Sequence, residues 1–452
     1  MKKATSDMTV GNPLKLILSF TLPLIAGATF QQLYSVIDTI IVGRLVGVTA
    51  LAAVGDTFAI NLCVVGFVQY TAVGFGVPVA NQFGAGNEKE LRKYVYNIAL
   101  LVLSIGIVVC ISTVLLSRSM LLMIHTPDNL IDLSHLYIRT CFYAIPVIFI
   151  YNSVASILRA LGDSRHPLYF LILASVINIV LDLLFIRQFH MGVFGAALAT
   201  VISQIIAAIT SLFYLLTAVP ILKLTPEDKH FSSRHCKNLC IAGIPMGLQY
   251  SLTSIGILVQ QSAINHFGSD AVAAIAGADK IRGFFTLPME SIGATMATFI
   301  AQNMGAGKMD RIRQGMRNAL VLQIAYAILV GAVLYSFDRQ LLLLCIDSSE
   351  TVVLNLAIRY LNVICFYFSF LGLLFLYRFS LQALGYGSLA LFSAVTEIIA
   401  RCIMSWAAIH YYGFSAICLI NASAWIFSSI FNIVTYYIMF RRQSKKIGLQ
   451  HT

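Results

Sequence analysis

Ala50-Leu51-Ala52-Ala53-Val54 and Gln82-Phe83-Gly84-Ala85-Gly86 are each written a second time in this chain. The echoes are Ala271-Val272-Ala273-Ala274-Ile275 and Asn303-Met304-Gly305-Ala306-Gly307, 221 residues later in a chain of 452. Leu161-Gly162 likewise returns as Leu384-Gly385. A repeat distance close to half the chain length marks two tandem copies of one unit. The residues between the echoes are mostly apolar, so each copy is expected to be a bundle of membrane-spanning helices.

Composition supports this reading. The chain is 59% hydrophobic and only 11% charged, whereas a soluble domain carries about 25% charged residues. A spanning helix needs ~20 mostly apolar residues. About twelve such stretches occur, from 14–41 through 191–219 in the first half and from 239–265 through 413–440 in the second. The expected fold is all-α and integral to the membrane: about 12 transmembrane helices in two pseudo-symmetric six-helix lobes. By chain order these are residues 1–219 and 239–452, joined by a polar linker at 220–238 and closed by a basic tail. No cleavage site follows the first apolar run, which reads as a retained span.

The net charge of +11 could suggest nucleic acid, but its distribution argues against that. Lys and Arg crowd into alternate loops: Lys2, Lys3 and Lys15; Lys89, Arg92 and Lys93; Arg159 and Arg165; the linker; Lys308, Arg311 and Arg313; and Arg441 to Lys446. The other loops are poor, with Arg44, Arg118, Arg187, Lys280, Arg282 and Arg339. This positive-inside bias puts both termini in the cytoplasm of a multi-pass cell-membrane protein. Most of the nine cysteines lie in apolar stretches and read as small hydrophobes. Cys236 and Cys240 beside His235 fit no standard zinc spacing. The paired glycines of Gly84-Ala85-Gly86 and Gly305-Ala306-Gly307 read as helix caps and turns, not as a phosphate loop. No HExxH, GxSxG, Walker or kinase motif is present, so the chain reads as a non-enzyme with no cofactor.

Charge in hydrocarbon is costly, about 2.5–3.5 kcal/mol even on insertion scales. Ionisable residues within spans are therefore expected to face a cavity or a partner. Gln31, Tyr34, Ser35 and Asp38 follow helical spacing and make one polar stripe on the first span. Asn178 and Asp182, i and i+4, make a second on the fifth. Thr200, Ser203 and Gln204 make a third on the sixth. Carboxylate, amide and hydroxyl oxygens suit a hard cation such as Na+, and two close carboxylates can instead share a proton. In the second half, Glu397 and Arg401 are also i and i+4 and can neutralise one another. Glu290, beside Pro288, is a further candidate. Arg378 lies near a span end and is expected to snorkel. Pro23, Pro78, Pro146, Pro245 and Pro288 permit kinks.

The run Gln31-Gln32-Leu33-Tyr34-Ser35-Val36-Ile37-Asp38-Thr39-Ile40-Ile41-Val42-Gly43, the following Ala50 to Gly55 and the Gln82 to Gly86 turn, with their echoes, resemble the multidrug and toxic compound extrusion (MATE) family. The resemblance implies a twelve-helix antiporter that exports cationic and aromatic compounds in exchange for protons or sodium ions, working by alternating access. It implies a cation site in the first lobe at Asp38, Asn178, Asp182 and Thr200, and it adds Asn152 in the fourth span. A substrate cavity is expected to involve Gln31, Tyr34, Glu290, Glu397 and Arg401, with aromatic residues such as Phe30 and Tyr34 available to stack on cations. Some members carry an essential seventh-span glutamate after a Gly-x-Pro motif; here that stretch holds Gln249, Ser251 and Thr253. The expected partners are small cationic or aromatic substrates and the lipid bilayer, with the monomer as the working unit. The alternative reading is a flippase for a lipid-linked precursor, a class expected to need a strongly cationic cavity.

Overall fold

The computed structural model describes residues 6–450, with side chains described through Lys445. Lys2, Lys3 and the Lys446 side chain, which contribute to the positive-inside pattern, lie outside the described residues. Among the described residues ten helices are long and apolar enough to cross a membrane, and two bent pairs bring the number of candidate spans to as many as twelve. Among the described residues there is no strand.

The first half runs through Pro13–Leu45, Phe58–Gly84, Glu88–Met123, the bent pair Ile131–Tyr143 and Ile145–Ala160, Arg165–Asp182 and Gly192–Ala218. The second runs through Ser233–Asn265, Ser269–Gly305, Met309–Ser336, the bent pair Thr351–Cys365 and Phe368–Ala383, Gly387–Ala407 and finally Ile420–Gln450. Both fourth spans break at the same place, by 46° and 53°. Pro146 accounts for the first break, because it has no N–H for the ladder. The second has no proline; there the chain breaks at Phe366 and Tyr367. Pro23, Pro78, Pro245 and Pro288 sit inside helices that continue through them.

By packing, the chain divides into two compact units. Among the described residues, one takes residues 6–8 and Leu22–Gly247; the other takes Thr9–Thr21 and residues 248–450. Each unit thus includes the opening of the other half's first span. Glycines explain why the start of the seventh span belongs with the first unit. A Cβ on Gly243 would stand 2.6 Å from the Phe75 ring and one on Gly247 2.2 Å from Thr71 Oγ1, so only bare backbone fits against the second span. In the other unit, Thr21 and Thr295 hydroxyls meet at 2.8 Å.

The repeated turns have identical hydrogen bonding. Gly86 and Gly307 both sit at φ +68°. Asn87 N–H donates to Gln82 O at 3.1 Å, and Lys308 N–H donates to Asn303 O at 2.9 Å. This is the left-handed cap that glycine allows. Gly162 and Gly385 are the other matched pair, at φ +84° and +88°. They differ in surroundings: a Cβ on Gly162 would lie 2.0 Å from Ser6 O, whereas Gly385 has open space. We expect Gly385→Ala to cost about 1 kcal/mol, the left-handed penalty alone, and Gly162→Ala several-fold more. Thermal unfolding of the two variants in detergent checks this; equal losses would contradict it.

Candidate functional site

A cavity of about 480 Å³ lies within the first unit. Gln31, Tyr34, Ser35 and Asp38 all line it, so the first-span stripe faces the cavity as its spacing predicts. Thr200 and Gln204 of the sixth span and Asn152 of the fourth share the wall. Phe30 is not on the wall and is exposed.

Asn178 and Asp182 stand behind that wall, 1% and 0% exposed. The carboxyl groups of Asp38 and Asp182 lie within hydrogen-bonding reach of each other. Asn178 Nδ2 donates to Thr200 Oγ1 at 3.4 Å, Thr200 Oγ1 to Ala196 O at 3.1 Å, and Tyr34 and Thr200 join through their hydroxyls. Three spans are thereby tied at one point. Ser203 turns away and bonds Thr200 O at 2.8 Å. Asn152 Nδ2 is held by Ile148 O at 2.8 Å, so its amide belongs to the wall without a hydrogen bond to the carboxyl pair among those described.

The chemistry of the pair follows from its setting. Two carboxyls within hydrogen-bonding reach in a low-dielectric interior cannot both stay ionised without a cation between them. Asp38 Oδ1 is buried and has no hydrogen-bond partner among the described residues, which leaves an acceptor for a proton or a metal ion. Asp182 sits directly before a short π-helical stretch, Leu183–Gln188; such local widening recurs at functional sites.

Sequence reasoning overlooked part of the wall. Tyr137 and Cys141 lie beside Asp38, and Arg159 lines the same cavity. Arg159, counted above among loop cations, is in the last turn of Ile145–Ala160. The signal was present: 137, 141, 148, 152, 155 and 159 fall on one helical face. The bend at Ala144 and the apolar Ile148 and Ala155 masked it.

The second unit holds the other candidates in a different arrangement. Glu397, 3% exposed, is bonded to Arg378 across spans, and Arg401 Nη2 is 3.8 Å from its other oxygen. Arg378 does not snorkel: it is buried and also donates to Ser393 Oγ and Ser428 Oγ, each at 3.2 Å. The partner chosen by spacing, Arg401, is therefore the longer contact. Asp279 and Arg282 pair at 2.8 Å inside the helix Ser269–Gly305, with Tyr360 OH donating to Asp279 at 3.0 Å. Glu290 lies near Tyr250. His235 bridges Glu90 at 2.9 Å and Ser232 at 2.6 Å, and the described residues include no group of three metal-ligating side chains.

Comparison with known proteins agrees with this architecture. The MatE family profile matches residues 23–184 and 245–407, one match per half. The chain is 29% identical over 381 residues to the probable multidrug resistance protein YpnP of Bacillus subtilis (strain 168), covering 84% of each chain. It is 24% identical over 378 residues to an FAD transporter of Shewanella oneidensis, covering 82% of each. A crystal structure of a MATE protein in the bent conformation superposes with a TM-score of 0.90 at 22% identity, over 98% of each chain. None of the three is described as a lipid-precursor flippase, and that alternative gains no support. With a family match in each half and a helical fold shared along its length, the chain belongs to the multidrug and toxic compound extrusion (MATE) family of membrane transporters.

Proposed function

We propose that this protein is a cation-coupled antiporter that exports cationic and aromatic compounds across the cell membrane as a monomer with both termini in the cytoplasm. The observation that carries the proposal is the Asp38–Asp182 pair, with one carboxyl on the cavity wall and the other sealed behind it. An ion entering the cavity meets Asp38 first. Neutralising the pair changes which hydrogen bonds Tyr34, Thr200 and Asn178 make, and so reshapes the wall that a substrate touches. Coupling requires only that the ion bind one state of the transporter more tightly than the other. Two carboxyls this close suit a single shared proton; Na+ is the competing choice. Asp38 and Tyr34 offer a cationic aromatic compound a counter-charge and a ring face.

Reconstituted vesicles loaded with ethidium test this, with proton and sodium gradients imposed separately. Flux driven by the proton gradient alone is the expected result. Flux driven by sodium alone would replace the ion, and no gradient-driven flux of any cationic dye would remove the reading.

Arg159 on the same wall favours a second reading. A guanidinium on a cavity wall suits a phosphate or carboxylate, and one relative is named for FAD, an anionic dinucleotide. Competition of FAD with ethidium efflux separates the two.

A further inference from the structure

The repeat sets positions of the two units against each other. Leu161-Gly162 and Leu384-Gly385 stand 223 residues apart, and the span after each ends in a π-helical stretch, Leu183–Gln188 and Ala408–Tyr412. That distance matches Asn178 with Arg401 and Asp182 with Ser405. Gly192 and Gly413, at φ +57° and +58°, start the sixth and last spans 221 residues apart and match Thr200 with Asn421. Gly47 and Gly268, both at positive φ, follow the first and seventh spans at the same distance and match Asp38 with Val259. The second unit therefore has neither carboxyl at these places, and it puts a guanidinium where the first unit has an amide. The sign of the charge is reversed.

Arg401 and Ser405 are i and i+4 on one helix face and are 4% and 5% exposed. Arg401 Nε and Nη1 and Ser405 Oγ are buried with no hydrogen-bond partner among the described residues. The nearby acids are engaged elsewhere. Glu397 is bonded to Arg378, and Arg401 Nη2 stays 3.8 Å from its other oxygen. Asp279 accepts from Arg282 Nε at 2.8 Å and from Tyr360 OH at 3.0 Å. Asn421 Nδ2 completes that group by donating to Tyr360 OH at 3.1 Å. Arg282 stands near enough to Arg401 to repel it, and its side chain is 21% exposed. A guanidinium keeps its charge, so open donors on one inside a membrane protein call for an anion.

We propose that the second unit binds a compact monovalent anion at Arg401 and Ser405, beside Arg282: chloride, or the carboxylate of an organic compound. The anion accepts from donors that otherwise have no acceptor, and it relieves the repulsion between two guanidinium groups. Arg282 is the partly open member through which it enters. The sealed donors behind it admit only a small charged group. The two units then hold ions of opposite sign at places that the repeat makes equivalent.

Trp425 reports on this place. The Arg282 guanidinium lies over its ring at 5.6 Å, and the ring is 4% exposed, so ions in bulk solvent do not reach it. Trp406 is the other tryptophan of the chain and is replaced by Phe in every sample. The full chain in detergent, in methanesulfonate buffer at constant ionic strength, is titrated with bromide, which quenches indole fluorescence on contact. Saturable quenching is the expected result. Arg401→Gln, which leaves Glu397 paired with Arg378, is expected to abolish the saturable part while the melting temperature holds. Ser405→Ala, of little risk to folding, is expected to raise the half-saturating bromide concentration by roughly 2–10-fold. Displacement of bromide by chloride assigns the site to the inorganic ion; displacement by acetate where chloride has no effect assigns it to an organic carboxylate. Quenching that is only linear overturns the proposal, as does half-saturation unchanged by Arg401→Gln or by Ser405→Ala. The readout needs no transport, so its failure is separate from failure of the antiport reading.

Discussion

Asp38→Asn is expected to reduce gradient-driven export to the uncoupled background while leaving the protein folded and in the membrane. Asn has the size of Asp, and its amide can donate to Asp182, so the contact between the first and fifth spans survives. What disappears is the ability to change charge. Without that change the ion has no differential affinity for the two states, and an ion with no preference shifts nothing however large its gradient. Coupling energies of about 1–3 kcal/mol correspond to roughly 5–150-fold in affinity, so the loss should be plain in a flux assay. Dye binding at equilibrium is expected to weaken with the loss of the Asp38 counter-charge but to persist, because Tyr34, Gln31 and Asn152 remain on the wall. Thr200→Ala, which removes a hydroxyl shared by Asn178 and Tyr34, should weaken coupling without abolishing it. Vesicle flux of the three proteins, normalised to the amount inserted, checks both statements. Full export by Asp38→Asn would remove the residue from the mechanism.

The sequence disclosed this site unevenly, for physical reasons. Apolar length and the repeated turns announce a helical membrane protein, because 11% charged residues cannot cover the surface of a soluble chain. The first-span stripe was legible because Gln31, Tyr34 and Asp38 are polar in an apolar helix, and period 3.6 puts them together. Asn178 and Asp182 were legible for the same reason. That they lie behind the wall, with Asp38 on it, depends on how the spans rotate about their axes, which spacing alone does not fix. The fourth-span face was harder, since a 46° bend interrupts the period and Arg159 looks like a loop cation. The exchange of span openings between units was hidden altogether. It depends on Gly243 and Gly247 meeting Phe75 and Thr71 across the chain, and a glycine in a sequence does not say which backbone it admits. Spacing also misassigned the partner of Glu397: an i, i+4 arginine is adjacent along the helix, yet Arg378 from another span reaches the carboxylate more closely.

Glu397→Gln gives the opposite outcome to Asp38→Asn: loss of the folded protein before loss of coupling. Glu397 is the acid that Arg378 and Arg401 share, and the three are 3%, 6% and 4% exposed. Arg401 is already poorly satisfied, with Nε and Nη1 buried and lacking hydrogen-bond partners among the described residues. Gly256 leaves it room, since the side chain comes within 3.3 Å of where a Cβ would stand. Removing the carboxylate leaves two guanidinium groups in a dry interior with one counter-charge fewer. Breaking a buried pair from one side costs about 3–5 kcal/mol, a large share of the stability of most proteins. The neutral Gln amide can still accept one hydrogen bond, so Glu397→Gln should lose less than Glu397→Ala. Replacing Glu397 and Arg378 together by Leu and Met strands only Arg401, and should recover part of the loss, since apolar groups of similar volume often replace a buried ion pair without penalty. Melting temperature and monodispersity in detergent measure all four proteins. A Glu397→Gln variant as stable as the wild type but unable to export dye would reverse the assignment and place Glu397 in the transport cycle.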